Sequence, residues 1–451
     1  MRQKSMKQAT ALDILKLGHN VFLTGPAGSG KTYLLNQYIQ YLKSKKIGVA
    51  ITASTGIAST HMNGQTIHSW SGMGIKDIFT EADFSKLKKR PFYKSRIKKT
   101  KVLIIDEVSM LHAHQLDIVN SICKRFKEPF FPFGGLQVIL CGDFFQLPPV
   151  ARYGSRAKFV IESRAWDEMN LRICYLEEQH RQEDRQMLKI LGDIRNRTCD
   201  SETMGMILSR ENKTIKNNIA PTRLYTHNAN VDAINDFELQ KIKEEPKEFL
   251  MTATGIENLV TTIKRGCLAP EKLILKKGAV VMFVKNNFER GFVNGTLGVV
   301  TDFEESGLPI VQTLSGKIIV ATPEKWSIEE DEVILASVTQ VPLRLAWAIT
   351  VHKSQGMTLD AVEMDLSKSF EYGMGYVALS RVRRLDGIKL LGINETALEV
   401  NPEMCELDKE LERLSDINSG EIDAMGFFEK RKKQKEFVEK NISKENLPKK
   451  V

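Results

Sequence analysis

Cysteine is scarce in this 451-residue chain, and its six copies, Cys123, Cys141, Cys174, Cys199, Cys267 and Cys405, lie far apart. No C-x-x-C pair is present, so neither a zinc site nor a disulfide framework is expected. No apolar run approaches the roughly 18 residues of a membrane span. The opening residues Met1–Lys7 have no apolar core or cleavage site behind them, so no secretion signal is expected. There is no internal repeat and no low-complexity tract. These absences lead to the expectation of a reduced, cytoplasmic protein with no membrane partner. What is present is 42% hydrophobic and 27% charged residues with a net charge of +9. That describes a globular chain too long for one ordinary core, leaning toward a polyanionic partner.

One stretch organises the rest. Gly25-Pro26-Ala27-Gly28-Ser29-Gly30-Lys31-Thr32 fits G-x-x-x-x-G-K-[ST] at every fixed position. A short apolar run, Asn20–Thr24, precedes it as a buried strand would, and Tyr33–Ile39 follows with apolar residues at helical spacing. Strand, glycine loop and helix together make a phosphate site. Gly25, Gly28, Ser29 and Gly30 let backbone N–H groups converge on phosphates at a helix N-terminus. Lys31 is placed to reach the β- and γ-phosphates of ATP, and the Thr32 hydroxyl to ligate Mg²⁺. A turn that merely joins strand to helix is the plain alternative, and both flanks speak against it.

Further apolar strands follow at Ile47–Thr52, Lys101–Ile105 and Gln137–Cys141, alternating with helical patterns. Such alternation indicates an α/β protein with a parallel sheet covered on both faces. Between the second and third strands, Lys86–Lys101 carries nine basic residues and no acid around Phe92-Tyr93, and reads as a small insertion within about residues 60–100. Composition shifts near Gly266. From there to about residue 339, short β-branched runs alternate with turns, among them Asn294-Gly295, which predicts a hairpin turn. This region reads as a small β-barrel inserted into a second α/β domain formed by residues 181–265 and 340–400. The C-terminal extension, 401–451, ends in Lys430–Val451, where nine basic residues face three acidic ones, and that segment is expected to be loosely ordered.

Leu103-Ile104-Ile105-Asp106-Glu107 is an apolar strand ending in two acids, about 75 residues after the phosphate loop. A P-loop ATPase needs this arrangement, with Asp106 to hold Mg²⁺ and Glu107 to orient and deprotonate the attacking water. Gly134–Val150 then contains Asp143-Phe144-Phe145-Gln146-Leu147-Pro148-Pro149-Val150 after a buried strand, and this resembles motif III of superfamily-one helicases of the RecD/PIF branch. Other segments resemble that branch in order. Gln8 stands where its adenine-reading glutamine does. Thr52–Ala58 resembles motif Ia, and Thr66–Trp70 the next DNA-contacting segment. Glu107–Leu111 with Phe133-Gly134-Gly135 resembles the PIF signature, and Gln179-His180-Arg181-Gln182 motif IV. Ala348–Asp360 resembles motif V, and Tyr376–Arg381 motif VI. The family commonly has Gly-Gln-Ala before the motif VI tyrosine, where this chain has Gly373-Met374-Gly375.

The resemblance, to PIF-type DNA helicases, spans about residues 6–393. It implies two RecA-like domains, the first within residues 1–180, with the barrel of the second SH3-like. It implies that Gln146 senses the γ-phosphate, that Arg181 and Arg381 are arginine fingers, and that Gly356 belongs to the nucleotide site. Thr55, His68, Thr350, His352 and Lys353 would grip single-stranded DNA through its phosphates. Trp70, Phe92 and Tyr93 are candidates for stacking on bases or splitting strands, with burial in the core the alternative for Trp70. The implied activity is ATP-driven 5′ to 3′ translocation by a monomer that unwinds forked or structured DNA, in repair, recombination, replication or telomere maintenance. A RecD-like motor subunit of a repair nuclease and a nucleotide-switched DNA clamp are the alternatives. A P-loop small-molecule kinase would lack motifs V and VI.

Overall fold

The computed structural model describes residues 6–62, 64–74, 76–150, 157–182, 184–215, 221–225, 231–287, 289–330 and 333–442. A six-stranded sheet comes first, in the order Gln65–Thr66, Val49–Ala53, Val102–Asp106, Gln137–Cys141, Val21–Thr24, Arg172–Tyr175, with every pairing parallel. Its three central strands are buried along their whole length. The period of two divides each strand between two cores. Phe22, Leu103, Ile105, Val138 and Leu140 enter one, while Val21, Leu23, Val102, Ile104 and Ile139 enter the other. Parallel strands require crossovers, which bring helices onto both faces and leave the strands' C-terminal ends open for a ligand.

A second parallel sheet follows, in the order Ala348–Thr350, Thr222–Tyr225, Val362–Leu366, Ile388–Ile393. The parallel α/β architecture expected from the patterning is therefore present. Between its strands lies a β-rich region. Five antiparallel strands, Ile318–Val320, Pro309–Thr313, Leu297–Phe303, Val280–Phe283 and Leu343–Leu345, enclose a separate core around Phe283, Phe292, Val300 and Val311. Asn294-Gly295 forms the expected turn, closed by Thr296 N–H donating to the Val293 carbonyl at 2.9 Å, with Gly295 at φ 96°. Pairing also reaches back to Lys247–Leu250 and Thr252–Gly255, in a stretch that the sequence placed with the second α/β domain. Those two strands are almost wholly exposed, so no buried alternation marks them.

The basic insertion folds as two helices, Glu81–Lys88 and Pro91–Lys99, the first closed by a capping box between Thr80 and Asp83. Arg96 is buried beneath it, 4.1 Å from the centre of the Phe92 ring, and donates to the Trp70 carbonyl at 3.2 Å. Trp70 is 2% exposed and belongs to the core, so it is not a stacking platform. Phe92 stays partly exposed.

The C-terminal extension departs from expectation. Helix Pro402–Ala424 covers the open edge of the first sheet, where Ser415 Oγ accepts from Tyr175 N–H at 2.9 Å and Asn418 donates to the Ile173 carbonyl at 3.2 Å. Side chains thus take the place of a neighbouring strand. Helix Phe427–Asn441 then lies against helix Gln8–Lys16, through Lys430 and Gln434 to Asp13 and through the Phe437 ring over Gly18. The loosely ordered segment expected from Lys430 is helical to Asn441, while residues 443–451 lie outside the described residues. Its charge density concealed the few apolar residues, Phe437 and Val438, that dock it. No helix among the described residues is long and apolar enough to cross a membrane, and all six cysteines are unbridged.

Phe437→Ala should cost about 2 kcal/mol, roughly half the loss for a fully buried phenylalanine, because the ring is half-buried. Urea unfolding followed through the first domain should show a lower midpoint with its slope unchanged.

Candidate nucleotide site and its domain interface

The glycine loop leaves the first sheet at Thr24 and enters helix Lys31–Ser44 at Gly30, which adopts the left-handed conformation at φ 86°. Gly25 is also left-handed, and a Cβ there would run into the Leu176 carbonyl. Lys31 Nζ donates to the Gly25 and Pro26 carbonyls at 2.7 and 2.9 Å. Burial pulls its pKa down, opposed chiefly by the Asp143 carboxylate. Ser29 Oγ is buried without a protein partner. A left-handed glycine cradle, an orphaned hydroxyl, a helix N-terminus and a lysine fit a polyphosphate. For Mg²⁺ the oxygen donors are Thr32, exposed on the first turn, and the buried Asp106. Among the described residues no group of three or more His, Cys, Asp or Glu could hold a metal, so an ion here would draw most of its ligands from phosphate and water.

Asp106 closes its strand and accepts from Glu107 N–H at 2.9 Å. Glu107 itself is left-handed, at φ 52°, ψ 45°, a conformation costing about 1–2 kcal/mol in a residue with a Cβ. Two further segments meet it. Ser54 Oγ donates to its backbone carbonyl at 2.7 Å, and Gln355 Nε2 to its carboxylate at 3.0 Å. Burial, then the adjacent Asp106 charge, raises the Glu107 carboxyl to about 7, with Arg381 and Lys31 pulling the other way. That is the range of a working general base.

Helix Met374–Ser380 and the segment that follows strand Arg172–Tyr175 complete the site. His180 N–H donates to the Gly28 carbonyl at 3.0 Å, and the His180 ring meets the Gln8 amide at 3.1 Å. Arg181 donates to the Ser380 carbonyl at 3.1 Å, and Arg381, 2% exposed, faces Gln146 Oε1 at 3.5 Å. Burial lowers the pKa of both arginines, and Arg381 lowers that of Arg181 further, so each would gain from an anion entering the seam. Ala27 N–H, inside the phosphate loop, donates to the Tyr376 hydroxyl at 3.2 Å. The departure at Gly373-Met374-Gly375 has a local cause, since a Cβ on Gly375 would run into the Ala397 carbonyl and Met374 is buried. Gly356 lies one residue beyond Gln355, left-handed at φ 77° and exposed.

The candidate DNA residues occupy two loops and a short helix. Thr55 Oγ1 accepts from Ala58 N–H and Thr350 Oγ1 from Lys353 N–H, both at 3.2 Å, so each hydroxyl caps its own turn. His352 is exposed, Lys353 half-buried, and His68 half-buried on helix Ile67–Ser71, its pKa lowered by burial. Thr55 follows Ser54, and His352 and Lys353 precede Gln355, so both loops connect to Glu107. The sequence reading singled out neither Ser54 nor Gln355, though both stand inside the motif segments. It also passed over Arg195, which meets Asp143 at the seam, and Asp408, which meets Arg195 from the other side. Their signal was a charge on an apolar stripe: Arg195 beside Leu191 and Ile194, and Asp408 between Met404 and Leu411.

The model of the PIF1-like helicase family matches residues 2–202, and that of the DNA helicase Pif1 2B domain matches residues 258–303. The chain is 47% identical to the ATP-dependent DNA helicase Pif1 of Psychrobacter sp., over 88% of this chain and 69% of that one. It is 37% identical to the ATP-dependent DNA helicase PIF1 of Xenopus laevis, over 93% and 66%. It thus spans about two thirds of the length of these relatives. Among solved structures, Bacteroides sp. Pif1 in complex with ADP-AlF4 superposes with a TM-score of 0.78 at 29% identity, covering 91% of this chain and 97% of that one. Bacteroides Pif1 bound to single-stranded DNA gives 0.63 at 30% identity, covering 92% and 98%. On these matches, and on a nucleotide site closed between two parallel sheets, the chain belongs to the PIF1-like helicases.

Proposed function

We propose that this chain is an ATP-dependent DNA helicase that translocates 5′ to 3′ on single-stranded DNA and unwinds forked or structured duplex, acting as a monomer in DNA maintenance. The observation that carries this is the position of Glu107, which accepts hydrogen bonds from the neighbours of both candidate DNA loops, Ser54 beside Thr55 and Gln355 beside Lys353. A base that senses the DNA-side loops makes hydrolysis depend on DNA. The glycine loop and Lys31 bind the phosphates, with Gln8 at the base. Thr32 and Asp106 would hold the Mg²⁺ whose charge screens the phosphate oxygens. Gln146, implied by the resemblance to sense the γ-phosphate, turns its amide NH₂ to Asp143 and so offers its carbonyl to the attacking water. Glu107 takes the water's proton, and Arg181 and Arg381 stabilise the charge that develops on the transferred group. Both arginines come from across the seam, so the closed arrangement is the reactive one and opening follows product release. The β-rich region, read as an SH3-like barrel, and the helical insertion would flank the strand path.

Strand displacement from partial duplexes tests the reading directly. With ATP, duplexes bearing a 5′ single-stranded tail should open and those bearing only a 3′ tail should not. Opening confined to 3′ tails would overturn the polarity, and no opening of either would overturn the helicase reading.

Glu107→Gln should retain ATP binding and lose turnover by roughly 10²-fold or more. The carboxylate must be ionised to act, and its pKa is raised to about 7. The parent's kcat/KM for ATP should therefore rise with pH through an inflection near that value, and the inflection should vanish in the variant.

Gln355→Ala should reduce the stimulation of ATPase by single-stranded DNA by about 10-fold, the equivalent of one charge-assisted hydrogen bond. Equal stimulation in variant and parent would show that the motif V loop does not report to Glu107.

A further inference from the structure

Arg195 projects from the buried stripe of helix Arg185–Asn196, in the second α/β unit, into a socket made by the first sheet and its covering helix. Its Nη1 donates to Asp143 Oδ1 at 2.8 Å. Its Nη2 donates to the Tyr175 hydroxyl and to Asp408 Oδ1, both at 2.9 Å. The guanidinium lies 4.4 Å from the centre of the Phe145 ring. The Asp143 side chain is fully buried, and those of Arg195 and Asp408 are 7% and 16% exposed. None of the steps above uses Arg195, and it does not touch the phosphate loop. Its reach is indirect. The other Asp143 oxygen accepts from Gln146 Nε2 at 3.2 Å, which leaves Gln146 Oε1 facing Arg381. An ionised carboxylate can only accept, so Asp143 fixes which end of the glutamine amide is turned toward the reacting group. A buried carboxylate keeps its charge only beside a paired cation.

We propose that Arg195, held from behind by Asp408 of helix Pro402–Ala424, is a positioning residue for ATP hydrolysis, fixing Asp143 so that the carbonyl end of Gln146 faces the attacking water. This rests on the ATPase reading above and extends it to the C-terminal helix, which carries no motif. The pair spans the seam, so it holds Gln146 in register only while the two sheets are docked.

The test compares Arg195→Gln, Arg195→Lys, Asp408→Asn, Gln146→Ala and the double variant Arg195→Gln/Gln146→Ala in the full chain. Steady-state ATPase with saturating single-stranded DNA, binding of a fluorescent ATP analogue and thermal unfolding are measured for each. Arg195→Gln should lower kcat by roughly 10-fold or more and Asp408→Asn by about 3-fold, with KM and analogue affinity within about 3-fold of the parent. Arg195→Lys should recover part of the loss. In the Gln146→Ala background, Arg195→Gln should cost less than about 2-fold, because the group it positions is gone. Independent multiplication of the two effects would overturn the proposal, as would an unchanged kcat in Arg195→Gln or Asp408→Asn. Should Arg195→Gln fail to fold, Asp408→Asn with and without Gln146→Ala makes the same comparison. A parent that hydrolyses ATP yet opens no duplex overturns the helicase reading while the variant ratios still decide this one. A parent without ATP turnover overturns both.

Discussion

A carboxylate sealed from water has to find its counter-charge inside the protein, and of the three that crowd the seam of this molecule Asp143 does so directly, in an ion pair with Arg195. Asp106, Glu107 and Asp143 lie at the C-terminal ends of adjacent strands of one sheet. Lys31 supplies a cation from the same unit, while Arg181, Arg195 and Arg381 arrive from the other side. Neither surface is electrically satisfied alone. The two parallel sheets are therefore held together by the same groups that would act on a phosphate, and any anion entering the seam competes for partners already engaged.

That competition gives the left-handed Glu107 its meaning. Its backbone conformation is unfavourable for a side chain, and it is maintained by neighbours on both sides: Asp106 on its N–H, Ser54 on its carbonyl, Gln355 on its carboxylate. Two of these come from segments that lead into the loops carrying Thr55 and Lys353. Strain at one residue is thereby tied to the arrangement of two surfaces that the sequence could name but not join.

The sequence was readable where chemistry constrains residue type. The glycine loop, the acid-capped strand and the Asp143–Val150 run each demand a spacing, and a parallel sheet covered on both faces follows from strands apolar along their full length. Legibility fails where a role is set by a distant partner. Arg195 looks like an ordinary helix cation until Asp143 is placed beside it. The strands at Lys247–Gly255 expose nearly every side chain and so lack the alternation that betrays a strand. The helix at Phe427–Asn441 reads as a charged tail because only a few residues touch the body. Trp70 sits within a segment that resembles a DNA contact, yet its ring fills the core, while the neighbouring His68 is half-buried.

The return of the chain to its first sheet has a mechanical consequence. The polypeptide leaves that sheet after Tyr175, builds the second α/β unit and the β-rich region, and comes back at Pro402 to lie along the strand it departed from. The second unit is therefore a loop of chain pinned at both ends. Two fixed points define a line, and the rigid-body motion that stretches neither tether is rotation about that line. A single backbone linker would allow swivel, slide and tumble. Here two crossings restrict swivel and slide, so the opening and closing proposed above would turn about the line that joins them.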